Sequence, residues 1–265
     1  MPNRRNIFFF YKETEELRTK VEPLKELASK YDFHVVENSK DASIIASIGG
    51  DGSFLQAVRK TGFREDCLYV GISTGELGFY CDFHIDNLPE MVENTLSEGI
   101  EVRRYPTIEV NVNDESSFFC LNECTIRSSI IKTLVMNVHV EDFHFETFRG
   151  DGLIVSTPTG STAYSKSVNG AVVDPKLACM QVSEIASLNN NHYRTLGSPF
   201  LLSDERTLSL EVVQDGNDYP VIGIDNEALS IQHAKKLTIR IPEKRIKTVK
   251  LKDNSFWHKV QRSFL

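Results

Sequence analysis

Apolar and polar residues follow two different patterns along the 265-residue chain. Before about residue 102, short apolar runs such as IFFFY (7–11), ASIIASI (42–48) and LYVGIS (68–73) are separated by segments of helical spacing such as EELRTKVEPLKELASKY (15–31). Such runs alternating with amphipathic helices are typical of a parallel sheet covered by helices. Residues 1–102 therefore predict a Rossmann-like α/β domain, in which we expect Pro23 to begin or bend a helix.

From residue 103 onward the apolar period shortens to two, as in a half-buried strand. The alternating pairs and triplets are Ile108, Val110 and Val112; Val138 and Val140; Phe143 and Phe145; Leu208, Leu210 and Val212; Leu237, Ile239 and Ile241. Residues 103–244 thus predict a second, β-rich domain resembling a β-sandwich. The segment TAYSKSVNGAVVDPKLACMQVSEIASLNNN (162–191) is expected to interrupt it with one or two helices.

The stretch SIIASIGGDGSFLQAV (43–58) changes from a strand pattern to a helix pattern at a glycine-rich turn. Ser53 and Gln56 have the spacing of a capping box, which places Gly49, Gly50, Asp51 and Gly52 in the turn. A helix N-terminus with glycines favours a bound phosphate, so a carboxylate there is unexpected. Asp51 is either a helix cap, the commoner role for Asp, or a group that takes part in chemistry.

Two further stretches carry polar side chains where strands are expected to end. In FFCLNECTIRSS (118–129), Asn122 and Glu123 can share one surface only if the backbone is irregular. They are either a solvated strand end or a site where Glu123 accepts from a sugar diol and Asn122 pairs with a base or amide. FRGDGLIVSTPTGSTAYSKS (148–167) is either a phosphate or ribose cradle or a well-capped turn, and its Arg149 and Asp151 either bind a ligand or form a surface turn.

Composition and missing motifs exclude several classes of protein. A net charge of −7 and a pI near 5.6 do not favour nucleic-acid binding. Five cysteines without a CxxC pair indicate reduced thiols in the cytoplasm, and the apolar run at 7–11 is too short for a membrane span or an export signal. The chain has no G-x-G-x-x-G after a strand, no G-K-[ST] and no G-x-S-x-G. His139 and His144 are expected on opposite faces of one strand, so no metal-ligating residue is assigned.

Four motifs in order, GGDGS, STGELGF, NECTIR and STPTGSTAYSKS, resemble those of the NAD kinase family. GGDGS alone is shared with diacylglycerol and sphingosine kinases and with phosphofructokinases, whereas TPTGSTAY is highly specific. The resemblance implies phosphorylation of the adenosine ribose of NAD by ATP, with Mg²⁺, to give NADP. It also implies an α/β domain followed by a β-rich domain, with the last segment, about 245–265, packing back on the first. Relatives are homo-oligomers, commonly tetramers, whose NAD sites are completed by a neighbouring chain.

The resemblance also assigns roles residue by residue. Asp51 would be the general base, and Gly49, Gly50, Gly52 and Ser53 would form the phosphate loop. The expected NAD-binding residues are Asp51, Gly52, Phe79, Asn122, Glu123, Arg149, Asp151, Thr162, Ala163, Tyr164, Ser165, Lys166, Ser167 and Ala186. The departures from the family pattern are Ser53 in place of Thr, Asn169 in place of Gly, Ser198 in place of an Arg before proline, and GIDNEA in place of a DGQ-like turn.

Two other functions fit part of this pattern. A lipid kinase shares the GGDG motif, but it would need an apolar entry for an acyl chain that the sequence does not indicate. A non-catalytic NAD(P) sensor would bind the same ligand, but it could dispense with Asp51. Inorganic polyphosphate is an alternative phosphate donor to ATP.

Overall fold

The structure, a computed structural model, describes residues 5–87, 91, 93, 97, 99–213, 220–229, 231 and 233–265. The chain divides into two compact units, of which the first comprises Met1–Tyr105 with Arg245–Leu265 and the second comprises Pro106–Lys244. The first unit is an α/β domain and the second is built from antiparallel sheets. This is the predicted fold class, which is confirmed.

The first unit contains a seven-stranded sheet in the order β2-β1-β3-β4-β19-β6, with β5 paired to β4. Its elements are β1 (Asn6–Phe10), α1 (Glu15–Lys30), β2 (His34–Val35), β3 (Ile44–Ile48), α2 (Asp51–Lys60), β4 (Leu68–Ser73), β5 (Phe83–His84), β6 (Ile100–Pro106), β19 (Arg245–Leu251) and the C-terminal helix α4 (Phe256–Phe264). The pairs β1–β2, β1–β3, β3–β4, β4–β5 and β4–β19 are parallel. The C-terminal strand β19 therefore lies inside the sheet, between β4 and β6.

Helix α1 begins where Thr14 caps it by accepting from the backbone N–H of Leu17, at 3.3 Å. Our expectation for Pro23 is wrong, because it lies inside this helix. Proline removes one helical hydrogen bond, but Val21 and Leu24 on either side of it are buried in the core of the unit. That burial offsets the lost bond.

The predicted capping box of α2 is also wrong. The helix begins at Asp51 with Gly50 as its N-cap, and no side chain caps it. Gly49 has a φ of +135°, which glycine adopts readily, so the chain turns from β3 into α2 within two residues. Ser53 therefore already lies in the first helical turn.

The second unit is a β-sandwich of two six-stranded antiparallel sheets, in the orders β11-β10-β15-β18-β7-β8 and β14-β13-β12-β9-β16-β17. Its strands are β7 (Ile108–Val112), β8 (Ser116–Cys120), β9 (Glu123–Ser128), β10 (Leu134–Val140), β11 (Phe143–Gly150), β12 (Gly152–Ser156), β13 (Cys179–Ile185), β14 (Phe200–Ser203), β15 (Leu208–Val212), β16 (Pro220–Ile224), β17 (Glu227–Leu229) and β18 (Lys236–Arg240). One apolar core takes alternate residues from both sheets, such as Val110 of β7 and Val155 of β12. The core therefore accounts for the period-two pattern of this half.

One local expectation for the second unit holds only in part, and another is wrong. Between residues 162 and 191 the only α-helix is the single turn α3 (Tyr164–Ser167), next to a 3₁₀ turn at Thr159–Thr162, and CMQVSEI forms β13. Met180 and Val182 face the apolar core, whereas Gln181 accepts from the N–H of Ala171 and Ser183 hydrogen-bonds to Ser165. The strand therefore alternates with a period of two, but its polar residues are buried as well, which hides the pattern in the sequence. His139 and His144 lie on the two strands of a hairpin as cross-strand partners, with ring centroids 5.1 Å apart.

No helix within the described residues is long and apolar enough to cross a membrane.

Candidate active site

The carboxylate of Asp51 is held by two backbone N–H groups at the edge where β3 and β4 end. Its Oδ2 accepts from the N–H of Phe79 at 2.7 Å and its Oδ1 from the N–H of Tyr80 at 2.9 Å. Because β3 and β4 are parallel neighbours, their carboxyl ends meet, and the segments that follow both strands come together. The GGDGS and STGELGF motifs are therefore brought into contact.

The loop between β4 and β5 approaches Asp51 so closely that residue 78 has no room for a side chain. A Cβ on Gly78 would overlap the Asp51 carboxylate. The hydroxyl of Ser73 fixes the start of the loop by donating to the carbonyl oxygens of Gly75 and Glu76, at 3.1 and 2.9 Å. The orientation of Asp51 is thus set by ordered backbone.

The predicted phosphate-loop residues lie around the first turn of α2. The carbonyl oxygen of Gly50 accepts from the N–H groups of Ser53 and Phe54, at 2.9 and 3.2 Å. Gly50 and Gly52 are exposed. This is the positive end of the helix dipole, which stabilises both the Asp51 carboxylate and an approaching anion.

Phe79 is predicted to line a nucleotide site, and the structure adds a second role through its backbone N–H. Its ring is half-buried against Phe256 and Phe264 of α4, with centroids 5.7 and 6.0 Å away. The C-terminal helix therefore fixes the residue whose N–H holds Asp51.

In the second unit, Asn122 and Glu123 lie where the chain passes from β8 to β9. Asp225, in the turn between β16 and β17, accepts from the N–H groups of Leu121, Asn122 and Glu123, at 3.0, 2.7 and 3.3 Å. The Asp225 N–H donates in return to the carbonyl oxygen of Glu123, at 2.9 Å. One carboxylate thus replaces the sheet partners that this bend lacks.

The carbonyl side of the same bend is held by the TPTG turn. Thr157 donates through its hydroxyl to the carbonyl oxygen of Leu121 at 2.6 Å and through its N–H to that of Asn122 at 2.8 Å. The Thr157 hydroxyl also accepts from the N–H of Gly160 at 3.0 Å. Hydrogen bonds between the NECTIR and TPTGSTAY motifs therefore fix the backbone at residues 121–123.

Glu123 is buried with one oxygen unpaired. Only 6% of the residue is exposed, and its Oε2 has no hydrogen-bond partner in the protein. Burial, together with the nearby Asp225 carboxylate, raises the pKa of Glu123 to about 8, against the opposing effect of the Tyr164 backbone N–H. An unpaired buried oxygen of this kind is suited to receive a donor from a ligand.

The residues at 162–167 differ in their surroundings. The backbone N–H of Tyr164 donates to the Glu123 carboxyl group. The Thr162 hydroxyl donates to the carbonyl oxygen of Thr159, and the Ser167 hydroxyl donates to that of Tyr164. Ser165 is buried, and its hydroxyl accepts from Gln181 Nε2 at 3.0 Å. The roles of these residues, and of half-buried Ala163 and Lys166, as NAD ligands stay predictions.

Asn169 shows how the chain accommodates one departure from the family pattern. Its φ is +62°, in the left-handed region that glycine favours and asparagine tolerates better than most residues. The turn after α3 therefore forms without the expected glycine.

Arg149, Asp151 and Ala186 lie together at a different corner of the second unit. The Asp151 N–H donates to the carbonyl oxygen of Ile185 at 2.9 Å, and the Arg149 guanidinium lies 4.3 Å from the ring centroid of Tyr193. Asp151 precedes β12, whereas Glu123 pairs with Ser156 at the other end of that strand. A five-residue strand places these ends about 13 Å apart.

Sequence reasoning missed the role of Asp225. GIDNEA differs from the turn expected of the family, and Asp225 is about 100 residues from the backbone it holds. Its φ of +51° lies in the left-handed region, which Asp tolerates in a tight turn, but a turn residue of this kind does not indicate which distant backbone it holds.

Among the residues that the structure describes, no group of three or more His, Cys, Asp and Glu side chains is placed to hold a metal ion.

Comparison with known proteins decides the family. Residues 121–251 match the model of the ATP-NAD kinase C-terminal domain. The chain is 62% identical over its whole length to the full NAD kinase 2 of Halalkalibacterium halodurans. It is 64% identical to NAD kinase 2 of Bacillus subtilis, over 99% of this chain and 98% of that protein. The chain belongs to the NAD kinase family.

Two solved kinase structures share the fold. Yeast NADH kinase, solved with NADH, superposes with a TM-score of 0.80 at 16% identity, over 98% of this chain and 87% of that one. An NAD kinase from Archaeoglobus fulgidus, solved with ATP, superposes with a TM-score of 0.75 at 22% identity, over 97% and 98% of the two chains.

The raised pKa of Glu123 predicts a pH-dependent stability. The folded chain keeps a proton on Glu123 that the unfolded chain releases. The protonated Glu123 therefore contributes to the free energy of unfolding in full below about pH 4.5, and this contribution is lost as the pH rises through about 8. Glu123→Gln, which carries no titrating group, should therefore become more stable relative to the parent between pH 5 and 9. The expected change exceeds about 1.4 kcal/mol, the value of one pH unit.

Urea unfolding of both proteins at pH 5 and pH 9 measures this difference, with Glu115→Gln as a control that removes an exposed carboxyl. A stability difference between Glu123→Gln and the parent that is the same at both pH values would contradict the raised pKa.

Proposed function

We propose that this chain transfers the γ-phosphate of ATP to the 2′-hydroxyl of the adenosine ribose of NAD, forming NADP, with Asp51 as the general base. Full-length relatives above 60% identity that are named NAD kinases support the reaction. The observation that supports the role of Asp51 is its carboxylate, held at a strand-to-helix turn by two backbone N–H groups.

Asp51 has the chemistry to orient a hydroxyl and to accept its proton. A carboxylate oxygen has two lone-pair positions, so each oxygen of Asp51 can accept from the backbone and still accept from a substrate hydroxyl. Phosphoryl transfer depends mainly on positioning and electrostatics, and the base accepts the proton late. We assign Gly49, Gly50, Gly52 and Ser53 to the phosphates at the N-terminus of α2.

Glu123 is the residue in the second unit that we assign to a ribose diol of NAD, with Asn122 beside it. The unpaired Oε2 supports this role, because an incoming hydroxyl would satisfy it. We further assign Thr162, Ala163, Tyr164, Ser165, Lys166 and Ser167 to the same ligand and Gly52 and Phe79 to the nucleotide.

We propose that Mg²⁺ enters with ATP. Magnesium is commonly held by substrate phosphates together with few protein carboxylates. The ion would offset the charge of the phosphates. ATP is the proposed donor, and an assay with inorganic polyphosphate tests the alternative.

We propose a homotetramer with shared NAD sites, located in the cytoplasm. The distance between Glu123 and the corner of Arg149, Asp151 and Ala186 supports sharing, with that corner contacting the NAD of a neighbouring chain. The five cysteines, all free and buried, support a reducing compartment. The net charge of −7 does not favour nucleic-acid binding, and we propose no nucleic-acid partner. We also propose no membrane partner.

The comparisons do not favour the alternatives. The relatives named NAD kinase match the chain over its full length, beyond the GGDG motif that a lipid kinase would share. A non-catalytic sensor could lack Asp51, whereas here the surrounding backbone is built around its carboxylate.

Replacing Asp51 tests the reaction. Asp51→Asn should still bind NAD but should lose about 10²-fold or more in turnover, the scale of general-base catalysis. NADP formed from NAD, ATP and Mg²⁺ is measured with an NADP-specific enzyme, and NAD binding by calorimetry. Unchanged turnover would remove Asp51 from the mechanism, and NAD binding without turnover in the parent would favour the sensor.

Mixed oligomers test the shared site. Asp51→Asn chains co-assembled with Asp151→Ala chains should regain part of the parent activity, because some sites then hold both native residues. Confirmed mixed oligomers that stay as inactive as their parents would show that Asp151 does not act across chains.

A further inference from the structure

The first unit buries three charged side chains that the proposed reaction does not use. Asp82, Lys250 and Lys259 are 4%, 0% and 1% exposed. Lysine is rarely buried so completely, because removing its charge from water is unfavourable. Two ammonium groups share one carboxylate here, so ion pairing alone does not account for both of them.

The carboxylate of Asp82 joins the two lysines to the sheet. Its Oδ1 accepts from Lys259 Nζ and, at 3.4 Å, from Lys250 Nζ, while its Oδ2 accepts from the backbone N–H of Leu251 at 2.8 Å. Lys250 lies on β19 and Lys259 on α4. The cluster therefore ties the C-terminal strand and helix to the loop after β4.

The other partners of the two lysines are backbone carbonyl oxygens of that loop. The oxygen of Phe79 accepts from Lys259 at 2.8 Å and from Lys250 at 3.2 Å, and the oxygen of Tyr80 accepts from Lys250 at 2.5 Å. The Phe79 carbonyl and the Tyr80 N–H belong to one peptide group. Its oxygen is held by two lysines and its N–H donates to Asp51.

We propose that Lys250 and Lys259 are positioning residues for Asp51, acting through the peptide group between Phe79 and Tyr80. This inference rests on the proposed role of Asp51 as the base. A donor on the carbonyl oxygen polarises the peptide group and strengthens the hydrogen bond made by its N–H. It also fixes the plane of the peptide and hence the direction of the carboxylate.

Docking of α4 does not require a buried lysine. Phe256 and Phe264 already contact the Phe79 ring, and Arg262 donates to the carbonyl oxygen of Leu77 at 3.3 Å. Replacing buried charges with apolar residues of similar volume is often neutral or stabilising. A purely structural position on α4 would therefore favour an apolar residue over Lys259.

The state of Lys259 is compatible with this role across neutral pH. Burial and the neighbouring Lys250 lower the pKa of Lys259 to about 7, against the attraction of Asp82. An amine keeps N–H donors in both protonation states, so the hydrogen bond to Phe79 does not depend on the charge.

Lys259→Met is the variant that tests the proposal, because Asp82 keeps Lys250 and no buried carboxylate loses its only partner. We expect kcat to fall about 10-fold or more, since small misplacements of a catalytic group carry costs of that order. The KM values for NAD and ATP should stay within roughly twofold. Lys259→Arg, which keeps a charged donor, should recover part of the lost kcat.

Lys247→Met is the matched control, because Lys247 lies on β19 and donates to a backbone carbonyl oxygen, that of Glu65, at 2.6 Å. Its kcat should equal that of the parent. Dividing each rate by the NAD sites counted in calorimetry removes any effect of unfolded protein.

A double-mutant cycle separates positioning from general damage. In the Asp51→Asn background, Lys259→Met should cause no further loss of kcat, because the group that it orients is gone. An equal loss in both backgrounds, or an unchanged kcat in the single variant, would overturn the proposal. If Asp51→Asn itself kept full turnover, the proposed function of Asp51 would fail instead.

Discussion

The peptide group between Phe79 and Tyr80 connects the C-terminal part of the first unit to Asp51. Its N–H donates to the carboxylate, and its carbonyl oxygen accepts from lysines on β19 and α4. This arrangement requires β3 and β4 to be parallel neighbours and β19 to lie next to β4 in the same sheet. A segment more than 160 residues along the chain thereby contributes to the orientation of one side chain.

In the second unit a carboxylate, and not a lysine, holds the backbone next to a candidate site residue. Asp225 and Thr157 hold both sides of the backbone at Asn122, which leaves the Glu123 carboxyl buried beside another carboxylate. A protein selected for stability alone would pair or remove such a group. We interpret the unpaired oxygen as a site whose hydrogen bond is completed by the ligand.

Much of the fold could be predicted because the apolar period reports directly which faces are buried. The contact between GGDGS and STGELGF agrees with the rule that neighbouring parallel strands end at one edge of a sheet. Pro23 could not be placed inside α1, because packing of its neighbours offsets the lost helical hydrogen bond. Strand β13 could not be predicted, because polar residues on its second face disguise the apolar alternation. Lys250, Lys259 and Asp225 carried no local signal, since their partners lie about 100 to 180 residues away.

The chemical shifts of the peptide group between Phe79 and Tyr80 test this account most directly. Carbonyl-¹³C phenylalanine with ¹⁵N tyrosine selects two peptide groups by NMR, because Phe-Tyr occurs only at 10–11 and 79–80, and the first serves as an internal reference. We predict that Asp51→Asn moves the Tyr80 amide proton upfield, that Lys259→Met moves both the Phe79 carbonyl and the Tyr80 amide, and that the reference stays fixed. A Tyr80 amide that does not respond to Lys259→Met would contradict the connection between the C-terminal helix and Asp51.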